Sequence, residues 1–318
     1  MSKIRHILLI VALFSVLALS GCINNKASNT TEGTKTITLI LDKGGVNDGS
    51  FNESAWTGAK QANEELGVEV KYLESNTDAD YASNIETAID LKSDLIIGVG
   101  FNLSEAIEKA AINYPEQQFA IVDGSFDTIP SNVTPITFNE SEAGYLAGIA
   151  TAMTLGSDKY GFVGGFEIPA VVNYKNGFEQ GLKQVNPNAT LSVQYANSFT
   201  DAAKGRAIAE QMYSDGVECI MTAAGGVNNG VYEVGSEKTK YAVAVDLAQS
   251  NVAPETIITS ALKNVDVGVS TAIKSFVEGN LEGGKSIVYN IANDGVGYEQ
   301  TQFITKETVE YIESIKNK

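Results

Sequence analysis

Apolar and polar positions alternate along the chain in two periods. Short aliphatic runs such as Leu95-Ile96-Ile97 predict strands, and longer stretches with apolar residues every three or four positions predict amphipathic helices. Strands are expected at Thr36–Asp42, Val68–Glu74, Leu95–Gly100, Phe119–Asp123, Tyr160–Gly165, Leu191–Ala196, Cys219–Gly225 and Tyr241–Asp246, and helices at Ser50–Leu66, Tyr81–Leu91, Leu103–Asn113, Glu142–Leu155, Val171–Gln184, Asp201–Ser214 and Asn229–Ser236. This alternation is typical of α/β proteins with parallel sheets covered on both faces.

Several landmarks recur later in the chain in the same order and at a similar spacing. Thr77-Asp78-Ala79 recurs as Thr200-Asp201-Ala202, and Val122-Asp123 at one strand end recurs as Val245-Asp246 at another. Such recurrence indicates an internal duplication. We therefore expect two lobes of one α/β design, the first formed by residues 36–137 and 247–285 and the second by residues 138–246 and 286–318.

The first residues of the chain have the features of a targeting signal rather than of a folded element. Two basic residues precede an apolar run from Ile7 to Leu19, which is shorter than the roughly 20 residues that span a bilayer. The run ends in Leu19-Ser20-Gly21-Cys22, which resembles the lipobox of bacterial lipoproteins; the alternative is an uncleaved anchor. We expect residues 1–21 to be a signal peptide and residues 22–35 to be a lipidated Cys22 with a flexible tether. The protein would then be anchored in the cell membrane, on its extracytoplasmic face.

Composition narrows the possible functions. The chain has 22 Lys and Arg against 39 Asp and Glu, a net charge of −17, which opposes binding to nucleic acid. The single histidine, His6, lies in the expected signal peptide, and Cys219 lies in an apolar strand where a thiol is usually inert. We therefore expect no catalytic residue, no metal site and no cofactor.

Acidic residues end several of the predicted strands. Asp42, Asp123 and Asp246 each follow an apolar run, and ligands of open parallel sheets bind beyond the carboxyl ends of the strands. A strand-end aspartate can instead cap the following turn, and for Asp42 the two interpretations are equally supported. The matched placement of Asp123 and Asp246 favours a cleft between two facing lobes.

The candidate cleft residues suit a neutral ligand that is partly aromatic. A carboxylate accepts hydrogen bonds from neighbouring hydroxyls, Lys263 offers further donors, and exposed phenylalanine rings stack on a planar heterocycle. A free nucleoside meets these three demands. A nucleotide does not, because its phosphate would enter an acidic cleft and only Arg206 follows the signal segment.

A motif after the first strand is similar to that of a known family. Residues 42–52 read Asp-Lys-Gly-Gly-Val-Asn-Asp-Gly-Ser-Phe-Asn, and Asn197-Ser198-Phe199-Thr200-Asp201 and Thr259-Ser260-Ala261-Leu262-Lys263 follow in order. The sequence resembles the basic membrane protein family over about residues 36 to 300. The resemblance implies a type I periplasmic-binding-protein fold with two Rossmann-like lobes around a cleft. It also implies a purine nucleoside ligand, delivery to the permease and ATPase subunits of an ABC transporter, and a monomer.

The resemblance assigns roles at the base. Phe51 and Phe199 would sandwich the ring, while Asn52 and Asp123 would bond its polar edge. Asp48 would lie at the same edge or, equally well, cap the helix near Ser50. An ionised Asp123 only accepts hydrogen bonds, so we expect bases with N–H groups there, hypoxanthine and guanine, to be favoured over adenine.

The resemblance also assigns roles at the sugar. Asp246 and Lys263 would hold the ribose 2′ and 3′ hydroxyls, and the Gly225 backbone would meet the 5′ side. Val227 departs from the smaller residue usual in the family, so it either narrows the sugar end or adjusts packing.

Other functions are compatible with the same residues. They are a sugar or autoinducer receptor of the same fold, a surface nucleoside hydrolase, and a signalling or adhesion lipoprotein without a small ligand.

Overall fold

The protein is described by a computed structural model, which covers residues 33–316. The expected signal peptide, Cys22 and most of the tether lie outside these residues. The strands are β1 Thr36–Leu41, β2 Glu69–Glu74, β3 Leu95–Val99, β4 Gln118–Val122, β5 Val133–Phe138, β6 Lys159–Gly164, β7 Thr190–Tyr195, β8 Cys219–Ala223, β9 Tyr241–Asp246, β10 Ile257–Lys263, β11 Ile287–Tyr289 and β12 Val296–Tyr298. The α-helices are α1 Phe51–Leu66, α2 Asp80–Asp90, α3 Ser104–Asn113, α4 Glu140–Leu155, α5 Pro169–Val185, α6 Ala202–Ser214, α7 Val227–Lys238, α8 Val265–Val277 and α9 Lys306–Lys316. None of the helices in the described part of the chain is long and apolar enough to cross a membrane.

The strands form two sheets with the same order. One sheet runs β11-β5-β4-β3-β1-β2, and the other runs β12-β10-β9-β8-β6-β7. The pairs are parallel except for β12, which is antiparallel to β10. In each sheet the first strand in sequence lies between the second and the third, so both sheets have a switch point where ligands of this architecture bind. The predicted α/β class and the duplicated design are confirmed.

Each sheet with its helices is called a lobe here: lobe 1 contains β1–β5 and β11, and lobe 2 contains β6–β10 and β12. The chain passes between the lobes after Phe138, after Lys263 and between β11 and β12. The expected boundary after Asp246 is wrong, because β10 pairs with β9 and keeps residues 257–263 in lobe 2. The boundary at residue 286 is also displaced, since β11 pairs with β5 in lobe 1.

The sequence pattern does not show β5 and β10, and the boundary expected after Asp246 is wrong because β10 was missed. β5 carries Pro135, and β10 includes Thr259 and Ser260, so neither resembles an uninterrupted aliphatic run. Both strands are nevertheless almost completely buried, because neighbouring strands and helices cover them. Tertiary context therefore outweighs local propensity in these segments.

Helices α4 and α5 pack unusually closely in lobe 2. A Cβ at Gly144 would lie 2.4 Å from the carbonyl oxygen of Tyr174, and one at Gly181 would lie 2.2 Å from that of Tyr145. Glycine is therefore needed at this crossing, since any side chain would push the helices apart. The close contact fixes α5, which carries the Tyr174 side chain to the cleft described below.

The interior is aliphatic and aromatic, as the pattern predicts. All five residues of β3 are buried, in agreement with a sheet covered on both faces. Cys219 is a free buried thiol, and burial raises its pKa well above the ordinary value, so its expected role in packing is confirmed. Trp56 packs against the core and meets the Tyr72 ring edge-on at 4.9 Å between ring centres.

Candidate ligand-binding site

A cavity opens between the lobes at the carboxyl ends of both sheets. Its lining draws on the segments after β1, β3 and β4 in lobe 1 and, in lobe 2, on the segments after β6, β7 and β8 and the last residues of β9 and β10. All the residues expected to bind ligand lie on its wall: Asp48, Phe51, Asn52, Asp123, Phe199, Gly225, Asp246 and Lys263. The structure thus brings together side chains that are up to 215 residues apart in sequence, from Asp48 to Lys263.

Asp48 caps the helix that carries two other wall residues. Its Oδ1 accepts from the backbone N–H groups of Ser50 and Glu53 at 2.9 and 3.1 Å, and its Oδ2 accepts from that of Asn52 at 2.9 Å. Burial raises the pKa of Asp48 to about 6, although these donors oppose the rise. The structure therefore shows the capping role, and the cap places Phe51 and Asn52 on the first turn of α1.

Asn52 presents an oxygen without a partner. Its Nδ2 donates to Asp42 Oδ1 at 2.7 Å, and Asp42 also accepts from the N–H of Gly44 at 3.0 Å. The Asn52 side chain is buried, and its Oδ1 accepts no hydrogen bond from the described residues. Buried polar atoms are rarely left unpaired, so this oxygen is suited to accept an N–H group from a ligand. Asp42 both lines the cavity and orients Asn52.

Phe51 and Phe199 reach the cavity from opposite lobes. Phe51 begins α1, and Phe199 lies in the loop before α6, where its ring meets Phe166 edge-on at 5.3 Å. A Cβ at Gly165 would lie 2.1 Å from the Phe199 ring, so glycine makes room for the aromatic side chain. The cavity is therefore lined by phenylalanine side chains from both lobes.

A buried ammonium lies between two carboxylates. Lys263 is 1% exposed, and its Nζ donates to Asp123 Oδ2 at 2.5 Å and to Glu140 Oε1 at 2.8 Å. The same nitrogen lies 5.3 and 5.1 Å from the ring centres of Phe51 and Phe138, within the range of cation–π attraction. Burial alone would lower the pKa of Lys263, but the surrounding carboxylates of Asp123, Glu140 and Asp246 raise it above its ordinary value.

Asp123 differs from the fully ionised group expected from sequence. Burial raises its pKa to about 7, and the Lys263 ammonium offsets only part of the rise because Glu140 and Asp246 add negative charge nearby. Burial thus favours the protonated form of this carboxyl, and the Lys263 ammonium favours the ionised form. Asp123 is therefore not restricted to accepting hydrogen bonds, since its protonated form can donate one.

Asp246 binds hydroxyl groups of the protein itself. Its Oδ2 accepts from Ser50 Oγ of lobe 1 at 2.5 Å, and its Oδ1 accepts from the Tyr174 hydroxyl at 3.2 Å. Burial raises the pKa of Asp246, while Lys263 and the two hydroxyl donors lower it. The carboxylate is thus placed to take hydroxyl donors on both oxygens, the property that a sugar diol requires.

The loop after β8 completes the wall. Gly225 has a left-handed backbone with φ of +57°, and a Cβ there would lie 2.7 Å from the carbonyl oxygen of Phe199. Glycine therefore brings the backbone close to the cavity. Val227 is completely buried in the core of lobe 2 and does not line the cavity, so the structure favours its packing role over a narrowing of the sugar end.

Sequence reasoning missed Ser50, Tyr174 and Glu140 as site residues. Tyr174 lies on a helix where an aromatic residue at helical spacing normally indicates core packing. Glu140 follows β5, and that strand was not predicted, so no strand end indicated this position. Ser50 belongs to the recognised motif, but only the folded chain places its hydroxyl against the other lobe.

Comparisons with known proteins agree with this architecture. The profile of the Bmp family, described as ABC transporter substrate-binding protein PnrA-like, matches residues 35–318. The chain is 37% identical over 335 aligned positions to the CD4+ T-cell-stimulating antigen of Listeria innocua, covering 98% of this chain and 94% of that protein. It is 34% identical over 310 positions to the ABC transporter nucleoside-binding protein BmpA of Lactococcus lactis, covering 90% and 88%. A solved ABC transporter solute-binding protein from Aeropyrum pernix K1 superposes with a TM-score of 0.80 at 29% identity, covering 89% of this chain and 90% of that one. The chain belongs to the Bmp family of PnrA-like ABC transporter substrate-binding proteins, whose function is binding rather than catalysis.

Proposed function

We propose that the protein captures purine nucleosides between its lobes and delivers them to the permease and ATPase subunits of an ABC importer. The arrangement of the cavity wall is the observation that carries this proposal. Aromatic rings from both lobes, an unpaired amide oxygen on Asn52 and a hydroxyl-binding carboxylate on Asp246 lie around one space. The name of the Lactococcus lactis relative, a nucleoside-binding protein, supports the same ligand class.

Each group has a place in the proposed complex. Phe51 and Phe199 stack on the two faces of the base, and the Asn52 oxygen accepts an N–H group at its edge beside Asp123. Asp48 supports this edge as the cap of α1. The sugar is held by lobe 2, where Asp246 and Lys263 bind the 2′ and 3′ hydroxyls and the Gly225 backbone meets the 5′ side.

Base preference follows from the acceptors at this edge. Guanosine and inosine carry an N1–H group, whereas adenosine offers only its amino group, so the Asn52 oxygen favours the first two. A nucleoside monophosphate is disfavoured, because its dianion would be enclosed in a cavity whose wall carries the carboxyl groups of Asp42, Asp48, Asp123 and Asp246.

Calorimetry with purified protein tests the ligand class. Guanosine and inosine are expected to bind more tightly than adenosine, while free ribose and guanosine monophosphate give no measurable heat. Binding of ribose or glucose as tight as that of guanosine would support the sugar-receptor alternative instead. The hydrolase alternative conflicts with the family, and chromatography after prolonged incubation with inosine checks it by the expected absence of free hypoxanthine.

We propose a lipid anchor on Cys22 that holds the protein at the extracytoplasmic face of the cell membrane. Support comes from the sequence of residues 1–35, where a short apolar run ends in small residues and a cysteine. In cells that express the full chain, the protein is expected in the detergent phase of a phase-partition assay. Cys22→Ala is expected to shift it to the aqueous phase, and an unchanged distribution would exclude this anchor.

A further inference from the structure

Glu140 is a buried carboxylate that meets the cavity only through another residue. It begins α4, directly after the chain passes from lobe 1 to lobe 2, and is 2% exposed. Its Oε1 accepts from Lys263 Nζ at 2.8 Å, and its Oε2 accepts from Asn173 Nδ2 at 3.1 Å. Both carboxylate oxygens are therefore held by side chains of lobe 2.

The two acidic partners of Lys263 differ in their access to ligand. Asp123 belongs to lobe 1 and lines the cavity, so a ligand between the lobes competes with the ammonium for its oxygens. Glu140 does not line the cavity and belongs to the same lobe as Lys263. The bond from Lys263 to Asp123 can thus be exchanged when ligand enters, whereas the bond to Glu140 can persist.

A buried ammonium needs a partner that persists. Lysine has a long flexible side chain, and a charge of this kind that is left unpaired in the interior is strongly unfavourable. If Asp123 were the only partner, its engagement by the base would leave the Lys263 ammonium without a counter-charge. The anchored Glu140 prevents this and restricts where the ammonium can lie.

We propose that Glu140 is a positioning residue, the permanent counter-ion that holds Lys263 against the sugar end of the cleft while Asp123 is released to the ligand. This inference rests on the proposed function, because it assigns the sugar hydroxyls to Lys263. It predicts that loss of the Glu140 charge weakens binding of ligands that carry those hydroxyls. Ligands without them are affected much less.

Glu140→Gln tests the assignment with little change in shape. Calorimetry compares guanosine with 2′,3′-dideoxyguanosine, which lacks both hydroxyls. Guanosine affinity is expected to fall about ten-fold, the usual effect of weakening one hydrogen bond from a charged group, and dideoxyguanosine affinity less than about two-fold. Glu64→Gln removes the same charge from the exposed face of α1 and is expected to leave both affinities unchanged. Equal losses for the two ligands, or no loss for guanosine, would overturn the proposal.

Asn173→Ala provides a second variant if Glu140→Gln does not fold. It removes the partner of Glu140 Oε2 without touching Lys263, so it is expected to lower guanosine affinity selectively but by a smaller factor. Identical effects of Asn173→Ala on the two ligands would contradict the proposal in the same way.

A melting experiment separates failure of this inference from failure of the proposed function. Lys263→Met leaves Asp123 and Glu140 buried without their cation and is expected to lower the melting temperature. Adding Glu140→Gln removes one of these uncompensated charges and is expected to recover part of the loss. A double variant that melts below Lys263→Met would refute the counter-ion role, whichever ligand the protein binds. Absence of guanosine binding by the unaltered protein, together with recovery in the double variant, would instead reject only the nucleoside assignment.

Discussion

Asp123→Asn removes the charge of a carboxyl that is 11% exposed while keeping its size. Burial raises the pKa of Asp123 from 3.8 to about 7 in the folded protein, against partial opposition from Lys263. Between these two values the unfolded chain has released its proton and the folded protein keeps it. The stability that Asp123 contributes is therefore complete below pH 3.8 and is lost as the pH rises to about 7. This is the opposite of the behaviour of an ordinary surface carboxylate in an ion pair.

The size of the effect follows from the width of this interval. One unit of pKa difference corresponds to about 1.36 kcal/mol. The range from pH 5 to pH 7 lies between the pKa of Asp123 in the unfolded chain, 3.8, and that in the folded protein, about 7. The unaltered protein is therefore expected to lose about 2 kcal/mol of unfolding free energy over this range relative to Asp123→Asn. The charged and titratable groups that face Asp123, which are Lys263, Glu140, Asp246 and Tyr174, are present in both proteins.

Urea denaturation at pH 5, 6 and 7 measures the difference directly. Asp127→Asn, at an exposed position of lobe 1, serves as the control and is expected to follow the unaltered protein at each pH. Parallel profiles for the unaltered protein and Asp123→Asn would refute the reasoning. A relative gain in stability of the unaltered protein from pH 5 to pH 7 would also refute it, since that gain requires Lys263 to outweigh the burial of Asp123.

Three further substitutions address the cavity wall and are measured by calorimetry with guanosine. Phe199→Ala is expected to cost about 1–3 kcal/mol of binding free energy by loss of stacking, whereas an unchanged affinity would exclude its place at the base. Gly165→Ala places a Cβ 2.1 Å from the Phe199 ring and is expected to weaken guanosine binding by displacing that ring. If Gly165→Ala weakened guanosine binding equally in a Phe199→Ala background, displacement of the ring could not be the cause. Asp246→Asn is expected to cost about 1.5–3 kcal/mol of binding free energy with guanosine and little with 2′,3′-dideoxyguanosine. An equal loss of binding free energy for the two ligands would place Asp246 away from the sugar hydroxyls.

The sequence was most informative where one signal recurs. Asp123 and Asp246 follow apolar strands in matching positions, so the duplicated pattern alone indicated that they meet at a cleft. The wall residues Phe51, Asn52 and Phe199 required a resemblance to a family, since a phenylalanine in a loop has no periodic signal of its own. Local pattern thus predicts which strand ends face each other but not which loop side chains reach between them.

Contacts across the lobes could not be predicted in the same way. The hydrogen bond from Ser50 to Asp246 joins residues 196 positions apart, and the ion pair of Lys263 with Asp123 depends on the unpredicted strand β10. The raised pKa of Asp123 is likewise a property of burial among three other ionisable groups. Such features arise from the assembled site, and no segment contains them alone.

The duplicated scaffold nevertheless produces a site without symmetry. Asp123 and Asp246 both adopt a left-handed backbone, with φ of +59° and +66°, which is uncommon for residues other than glycine and marks them as equivalent strand ends. Their partners differ, because Asp123 meets the ammonium of Lys263 whereas Asp246 meets the hydroxyls of Ser50 and Tyr174. One carboxyl can therefore change protonation and exchange partners near neutral pH, and the other is equipped for hydroxyl donors. A nucleoside has a base at one end and a diol at the other, so a cleft whose equivalent positions differ in this way suits binding in a single orientation.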